Sequence, residues 1–374
     1  MLAGAAAANT LFPDGAQGKG ESMDGRHVFG ETYPDEQTGA TVRVLVSGSG
    51  KNQVIYQTHP MWTPGMSHLL FVSDRMGGRW LPHVLELGTG EVWCAAAEGA
   101  EDWTLARKEG LLYFRRGDNL YVSHIEEKDG KGRPIASFDG LSALRPISMS
   151  VDADETVIYV GATLEPEKQW GIAVLDVACG TYRVAAAVSF RVGHVQANPF
   201  IPGVIMFCHE TGGDAPQRMW VVHADGSHLR PFYKETYEEW VTHEVWWGPR
   251  RAIFTIWPYD EAHAKLPHGV VSAHLDTGVP TVHSQFPAWH THGSPDGRWA
   301  VADDFDGNLW LIDAAASERR LLTQGHRRAG FDTHLHPSFT PDSKAVVFNS
   351  SRNNSDDVFL VDVPDWGALP VSPE

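Results

Sequence analysis

Ser294-Pro-Asp-Gly-Arg-Trp-Ala-Val-Ala-Asp303, followed by Gly307-Asn-Leu-Trp-Leu-Ile-Asp313, decides the fold. A Pro-Asp-Gly turn opens a β-rich run, a polar loop follows, and a second run ends on Asp. Thr340-Pro-Asp-Ser-Lys-Ala-Val-Val-Phe-Asn-Ser350 with Asp357-Val-Phe-Leu-Val-Asp362 repeats the pattern. Thr63-Pro-Gly-Met-Ser-His-Leu-Leu-Phe-Val-Ser-Asp74 begins another copy, and degenerate copies fill the stretch between. Corresponding turns fall at 151, 199, 247, 295 and 341, in steps of 48, 48, 48 and 46; the 88 residues from 63 to 151 hold two more units. Short strands repeated about every 40–50 residues mark a β-propeller. The alternation in Lys344-Ala-Val-Val-Phe supports strand over helix. The expected fold is therefore all-β, a seven-bladed β-propeller.

Ring closure is also legible. Several units end in a strand of Thr-Gly form, as in Thr277-Gly-Val-Pro-Thr-Val282. The same form occurs at Thr38-Gly-Ala-Thr-Val-Arg-Val-Leu45, before any complete unit, while the last unit stops near Val363. Residues 38–46 are expected to supply the outer strand of the last blade and so to remove a sheet edge. The expected organisation is an N-terminal extension (1–34), one propeller domain (35–366) and a C-terminal tail (367–374).

Composition narrows the function. The chain has 374 residues, 42% of them hydrophobic, and Lys+Arg 30 against Asp+Glu 47 gives a formal net charge of −17. So acidic a surface argues against a nucleic-acid partner and against an anionic membrane. No apolar run approaches the ~20 residues of a membrane span. Cys94, Cys179 and Cys208 form no CxxC pair, which suits a reducing compartment. A cytoplasmic location is expected; the Ala-rich Met1–Asn9 stretch, read as a trimmed export signal, is the periplasmic alternative. There is no GxSxG elbow, Ser47-Gly-Ser-Gly-Lys51 departs from a phosphate loop, and His209-Glu210 and His243-Glu244 lack the second histidine of HExxH. Trp246-Trp247 reads as packing.

Histidines crowd the segments just before the inner strands of four units: Gly193-His194-Val-Gln196, Val241-Thr-His243-Glu244, Ala288-Trp-His290-Thr-His292 and Phe331-Asp-Thr-His334-Leu-His336. The inner strand of each blade lines the axis, so these side chains can converge at one mouth of the channel. His-x-His on a strand places both rings on one face. Two such pairs on neighbouring blades suit a divalent ion from Mn to Zn.

These residues carry a resemblance. Gly193-His-Val-Gln-Ala-Asn-Pro199, Glu210-Thr-Gly-Gly-Asp-Ala-Pro-Gln-Arg218-Met-Trp220, Leu229-Arg-Pro-Phe-Tyr233, Trp240-Val-Thr-His-Glu-Val-Trp-Trp-Gly248 and His334-Leu-His-Pro-Ser-Phe-Thr-Pro-Asp342 resemble the oligogalacturonate lyases, polysaccharide lyase family 22. The first three blades match in general pattern. The resemblance implies a seven-bladed propeller that cleaves short oligogalacturonides by β-elimination, acting as a monomer or homodimer. It implies His243 as general base and Arg218 as the arginine beside the cleaved bond. It implies His290, His334 and His336 as ligands of a divalent metal, Mn²⁺ first, with His194 and Gln196 binding substrate. One position departs: the family's remaining ligand, a Gln, is Phe331 here. Three histidines with water, or His292, Asp332 or Gln324 in the Gln's place, are the alternatives. Two other functional classes stay open: a non-catalytic propeller that binds sugar or protein, and a metal-dependent enzyme of different chemistry.

Overall fold

The computed structural model describes residues 30–371, apart from 97–98, 139–140, 144–147, 165–168, 212–214, 237–238 and 259–267. Residues 1–29 of the expected N-terminal extension and 372–374 of the expected tail lie outside the described residues. Seven antiparallel sheets follow one another along the chain. Blade 6 is representative: Ala288–Gly293, Trp299–Asp304, Leu309–Asp313 and Glu318–Thr323 pair in that order from axis to rim. The inner strands of blades 4 and 5 are Val192–Ala197 and Glu239–Trp246; that of blade 7 is the short Ser338–Phe339. Among the described residues no helix is long and apolar enough to cross a membrane.

The repeated turn has a simple physical basis. Ser294 Oγ donates to Asp296 Oδ1 (2.6 Å) and accepts from the Trp299 amide (2.8 Å), and Gly297 supplies the left-handed residue at φ 76°. Thr340 and Asp342 repeat the bond at 2.7 Å, with Ser343 at φ 62° in the glycine's place.

Ala345–Ser350 and Trp299–Asp304 are buried at every position. The half-exposed alternation expected of a strand is therefore absent from them. Each blade packs against a neighbour on both faces, so its middle strands read as continuous apolar runs, as doubly covered strands do. One core cluster joins Trp299, Val301, Leu309 and Leu311 of blade 6 to Val346, Phe348 and Phe359 of blade 7. Each such side chain contributes about 1.5–3 kcal/mol on burial.

Ring closure follows the expected strand. Thr41–Val46 pairs antiparallel with Asp357–Asp362, placing Val42 opposite Val361 and Val44 opposite Phe359. A bulge between Val44 and Val46 lets the strand serve two cores: Val42 and Val44 join the blade 6–7 cluster, and Leu45 and Val46 join the one shared with blade 1. Thr32–Pro34 adds a fifth strand outside it.

The turn Asp35–Gly39 stitches this hairpin to blade 6. Asp35 Oδ1 accepts the amides of Gln37 and Thr38 (both 3.0 Å), and Oδ2 accepts the Thr323 hydroxyl (2.8 Å) and the Gln324 amide (3.1 Å). Burial alone would raise the Asp35 carboxyl, but these hydrogen bonds hold it below its ordinary range. Its stabilisation is therefore fully present above the unfolded value of 3.8 and is lost as pH falls through the lower folded value. Asp35→Ala should lower unfolding free energy by about 1–3 kcal/mol at neutral pH and flatten the acid limb of the stability curve, as read by denaturant titrations across pH.

Candidate active site

Four inner strands present their histidines by irregular backbone. Register shifts fall between Gly193 and Gln196 in blade 4, Thr242 and Val245 in blade 5, and Ala288 and Thr291 in blade 6. His194 (φ 46°) and His243 (φ 60°) sit inside the first two in left-handed conformation, and His336 (φ 45°) takes it just ahead of the blade 7 strand. A side chain in that region costs about 1–2 kcal/mol, and such strain with a bulge is how a strand re-aims one residue.

The result is a compact imidazole cluster. The ring centroid of His290 lies 4.2 Å from that of His243, 4.5 Å from His336 and 5.4 Å from His334. His290, His334 and His336 each offer one nitrogen, all within 4.8 Å of one another. The expected pairing of His290 with His292 fails. The blade 6 bulge separates them, and His292 Nδ1 instead accepts the Phe339 amide (3.3 Å) while its ring lines a cavity at the other mouth. Of the expected substitutes for the missing Gln, Gln324 follows the outermost strand of blade 6, Glu318–Thr323, and its backbone amide donates to Asp35 Oδ2. Asp332 is near: its Oδ1 lies 3.9 Å from His334 Nε2, with the side chain 88% exposed.

The cluster fits a divalent cation. His290 is fully buried, and its Nε2 has no partner. On the far side of the ring, Asp303 accepts the His290 amide (2.5 Å) and contacts Nδ1 (2.9 Å), the carboxylate–histidine arrangement that orients metal ligands. Burial pushes the Asp303 carboxyl well above its ordinary range, and a cation on His290 would relieve that cost. Burial also holds His290, His334 and His336 below the usual imidazole range; neighbouring histidine charge adds to this at His290 and His336, while at His334 burial outweighs Asp332 and Asp303. The rings are therefore neutral, as ligands must be.

Beside the cluster lies a buried charge network. Arg218 is 2% exposed; its Nε donates to Glu244 Oε2 (3.0 Å), Nη2 lies 3.8 Å from Glu210 Oε2, and Nη1 has no partner. Burial opposes the charge on Arg218, but Cys208, Glu244 and Glu210 outweigh it and raise its pKa. Glu244, which burial would raise, is held below the carboxylate range by Arg218 and His194. His194 Nδ1 lies 3.1 Å from Glu244 Oε1. His194, Cys208 and Glu210 also present ligand atoms within 4.8 Å of one another, but the Arg218 guanidinium already supplies the cation there.

His243 contacts Tyr56 Oη through Nδ1 at 2.7 Å. Burial, then the charges of His290, Arg218, His336 and His194, keeps His243 well below the imidazole range and hence unprotonated. Burial and Glu244 push the Tyr56 hydroxyl well above 10.0, so it keeps its proton. Gln196, expected to touch substrate, is 1% exposed; its Nε2 donates to the Glu244 carbonyl (2.8 Å), which makes it part of the wall.

Sequence reading missed Tyr56, Glu210, Glu244 and Asp303. A carboxylate inside the apolar run Val241-Thr-His-Glu-Val-Trp-Trp247, and one in Ala300-Val-Ala-Asp303, were available signals. Tyr56 carried none, since it lies outside the repeat.

No protein-family model matches the chain. Two curated relatives do. An oligogalacturonide lyase of Pectobacterium atrosepticum is 26% identical over 217 residues, covering 51% of this chain and 55% of the relative. An oligogalacturonate lyase of Dickeya dadantii is 26% identical over 200 residues, covering 46% and 50%. The chain spans about half the length of these relatives. Two solved structures share the fold across nearly the whole chain. An oligogalacturonate lyase in complex with manganese aligns at TM-score 0.78 and 21% identity, covering 91% of this chain and 97% of that one. An oligogalacturonate lyase from Vibrio parahaemolyticus aligns at 0.77 and 20%, covering 90% and 97%.

Asp303→Asn should weaken divalent-ion binding by about 10–100-fold with the fold intact, as measured by isothermal titration with MnCl₂ and by far-UV circular dichroism.

Proposed function

We propose that the protein is an oligogalacturonate lyase, which cleaves short pectic oligosaccharides by β-elimination and leaves a 4,5-unsaturated uronate. The observation that carries this reading is the unpartnered Nη1 of buried Arg218, set in one network with an unprotonated His243 beside three histidines that fit a divalent cation. Two relatives and two solved structures of the same fold bear the lyase name, and one of those structures holds manganese.

The chemistry requires this set of groups. Elimination breaks C5–H and C4–O, forms C4=C5 and releases the glycosidic oxygen, which takes a proton from water to become the hydroxyl of the shortened chain. Losing the C5 proton puts negative charge beside an ionised carboxylate, so the site must neutralise that charge. A divalent cation, Mn²⁺ first, held by His290, His334 and His336, would supply positive charge to the uronate carboxylate. Arg218 adds a guanidinium whose Nη1 is free to donate, while Glu244 holds its other edge in place. His243 takes the C5 proton at Nε2, in the tautomer that donates from Nδ1 to Tyr56 Oη. In this reading His194, held by Glu244 and with its ring centroid 5.1 Å from that of Tyr56, contacts the substrate. Gln196 supports it from behind.

The substrate is a short oligogalacturonide, and the protein acts as a monomer or homodimer. Its cysteines are free, one of them exposed, in keeping with a cytoplasmic location.

Ultraviolet absorbance of the unsaturated product tests the proposal. Manganese-loaded protein should produce a steady rise from digalacturonate or trigalacturonate that EDTA abolishes and added Mn²⁺ restores. His243→Ala should lower kcat by about 10²–10⁴-fold. Arg218→Lys, which keeps the charge but loses the fork, should cost about 10²–10³-fold. No rise from a folded protein that holds metal would exclude the lyase reading.

A further inference from the structure

The inner strands that carry the histidines continue to the opposite mouth, where a second cavity of about 330 Å³ opens. Two residues past His290 comes His292; past His243 come Trp246 and Trp247; past His336 come Ser338 and Phe339. That volume is at the lower end for a small-ligand site.

Thr58, His59, Thr63, Trp246, Trp247 and Ser294 of its polar lining are hydrogen-bonded, but three buried side chains are not. Gln57 is 2% exposed, and neither atom of its carboxamide is bonded. Trp62 Nε1 and Ser338 Oγ are likewise buried and unpartnered. Because His292 Nδ1 accepts the Phe339 amide, its ring proton is on Nε2. Arg107 lines the same cavity and, among the described residues, makes no hydrogen bond or ion pair. Its side chain is exposed to solvent; desolvation of the guanidinium lowers its pKa to about 10, against the pull of Glu155. Burial, then the charge of Arg107, holds His292 at about 4, so Arg107 is the cation here. Among the described residues no Asp or Glu lines the cavity, on a chain of net charge −17.

This polarity selects the ligand. Buried donors without acceptors are costly, and the arginine that lines the cavity sets a fork of donors beside them. A carboxylate answers both: it takes two parallel N–H bonds from one arginine and offers lone pairs to neutral donors. One guanidinium balances one negative charge. The remaining wall is apolar, with Met61 and Phe339 inside and Phe200, 54% exposed, at the rim. We propose that this mouth is a second ligand site that binds a small monocarboxylate with a ring-sized body, anchored on Arg107. Sugar acids and aromatic acids share that chemistry.

Isothermal titration of the full chain with D-galacturonate, benzoate and inorganic phosphate tests it, run also on Arg218→Lys so that the first site's anchor is weakened. A carboxylate site that depends on Arg107 should appear in both proteins, and Arg107→Gln should weaken it at least about tenfold while leaving eliminase turnover unchanged. Whichever of galacturonate or benzoate binds more tightly identifies the source. If Arg107→Gln does not fold, Arg107→Lys, which keeps the charge and loses the fork, should show the same direction of loss. Absence of carboxylate binding, binding indifferent to Arg107, or tighter binding of phosphate than of both carboxylates would overturn the proposal. Arg107-dependent binding in a protein without eliminase activity would uphold this site and overturn the lyase reading alone.

Discussion

Seven sheets make a closed ring here because Thr41–Val46 hydrogen-bonds to Asp357–Asp362, near the other end of the chain. Closure places blade 1 against blade 7: the Asn52 amide reaches the Asp356 carbonyl (2.7 Å) and the Val54 amide reaches Asn349 Oδ1 (2.6 Å). Tyr56 follows two residues later and arrives at His243, 187 positions away in sequence. The site draws on blades 4 to 7 and on this one tyrosine. An open ring would leave these residues on separate sheets.

Burial then sets the chemistry. The axis is enclosed enough to keep His243, His290 and His336 neutral and to make every unpaired polar atom expensive. The exceptions are informative for that reason. At one mouth they are His290 Nε2 and Arg218 Nη1; at the other they are the Gln57 amide, Trp62 Nε1 and Ser338 Oγ. Donors are left open at both ends, on a strongly acidic chain. The same inner strands build both mouths, and a shift of one or two positions along a strand moves a side chain from one to the other. His290 and His292 show this directly, since a single bulge sends them to opposite ends.

Much of this was legible in the sequence, for definite reasons. Turn chemistry is local, so Ser294-Pro-Asp-Gly297 and its copies gave the period and the blade count. The early Thr-Gly strand at 38–45 betrayed the closure because it comes before any complete unit, while the last unit lacks an outer strand of its own. Histidine is uncommon enough that four clusters at equivalent positions stood out, and His243, His290, His334 and His336 do come together. What was not legible depends on contacts between distant blades. Burial of the middle strands on both faces has no period to detect. Asp303 is chosen by the position of His290 and Tyr56 by ring closure, and neither has a local signature. The His-x-His rule assumes a regular strand, and it failed for His290 and His292 because a bulge intervenes.

The central claim is that this site eliminates rather than hydrolyses. Mass spectrometry of the products from trigalacturonate, incubated with the manganese-loaded protein, tests it most directly. Elimination predicts one saturated fragment and one fragment lighter by a water than the corresponding saturated sugar acid. Two saturated fragments, their masses together exceeding the substrate by one water, would show hydrolysis and contradict the assignment of His243 as the base at C5.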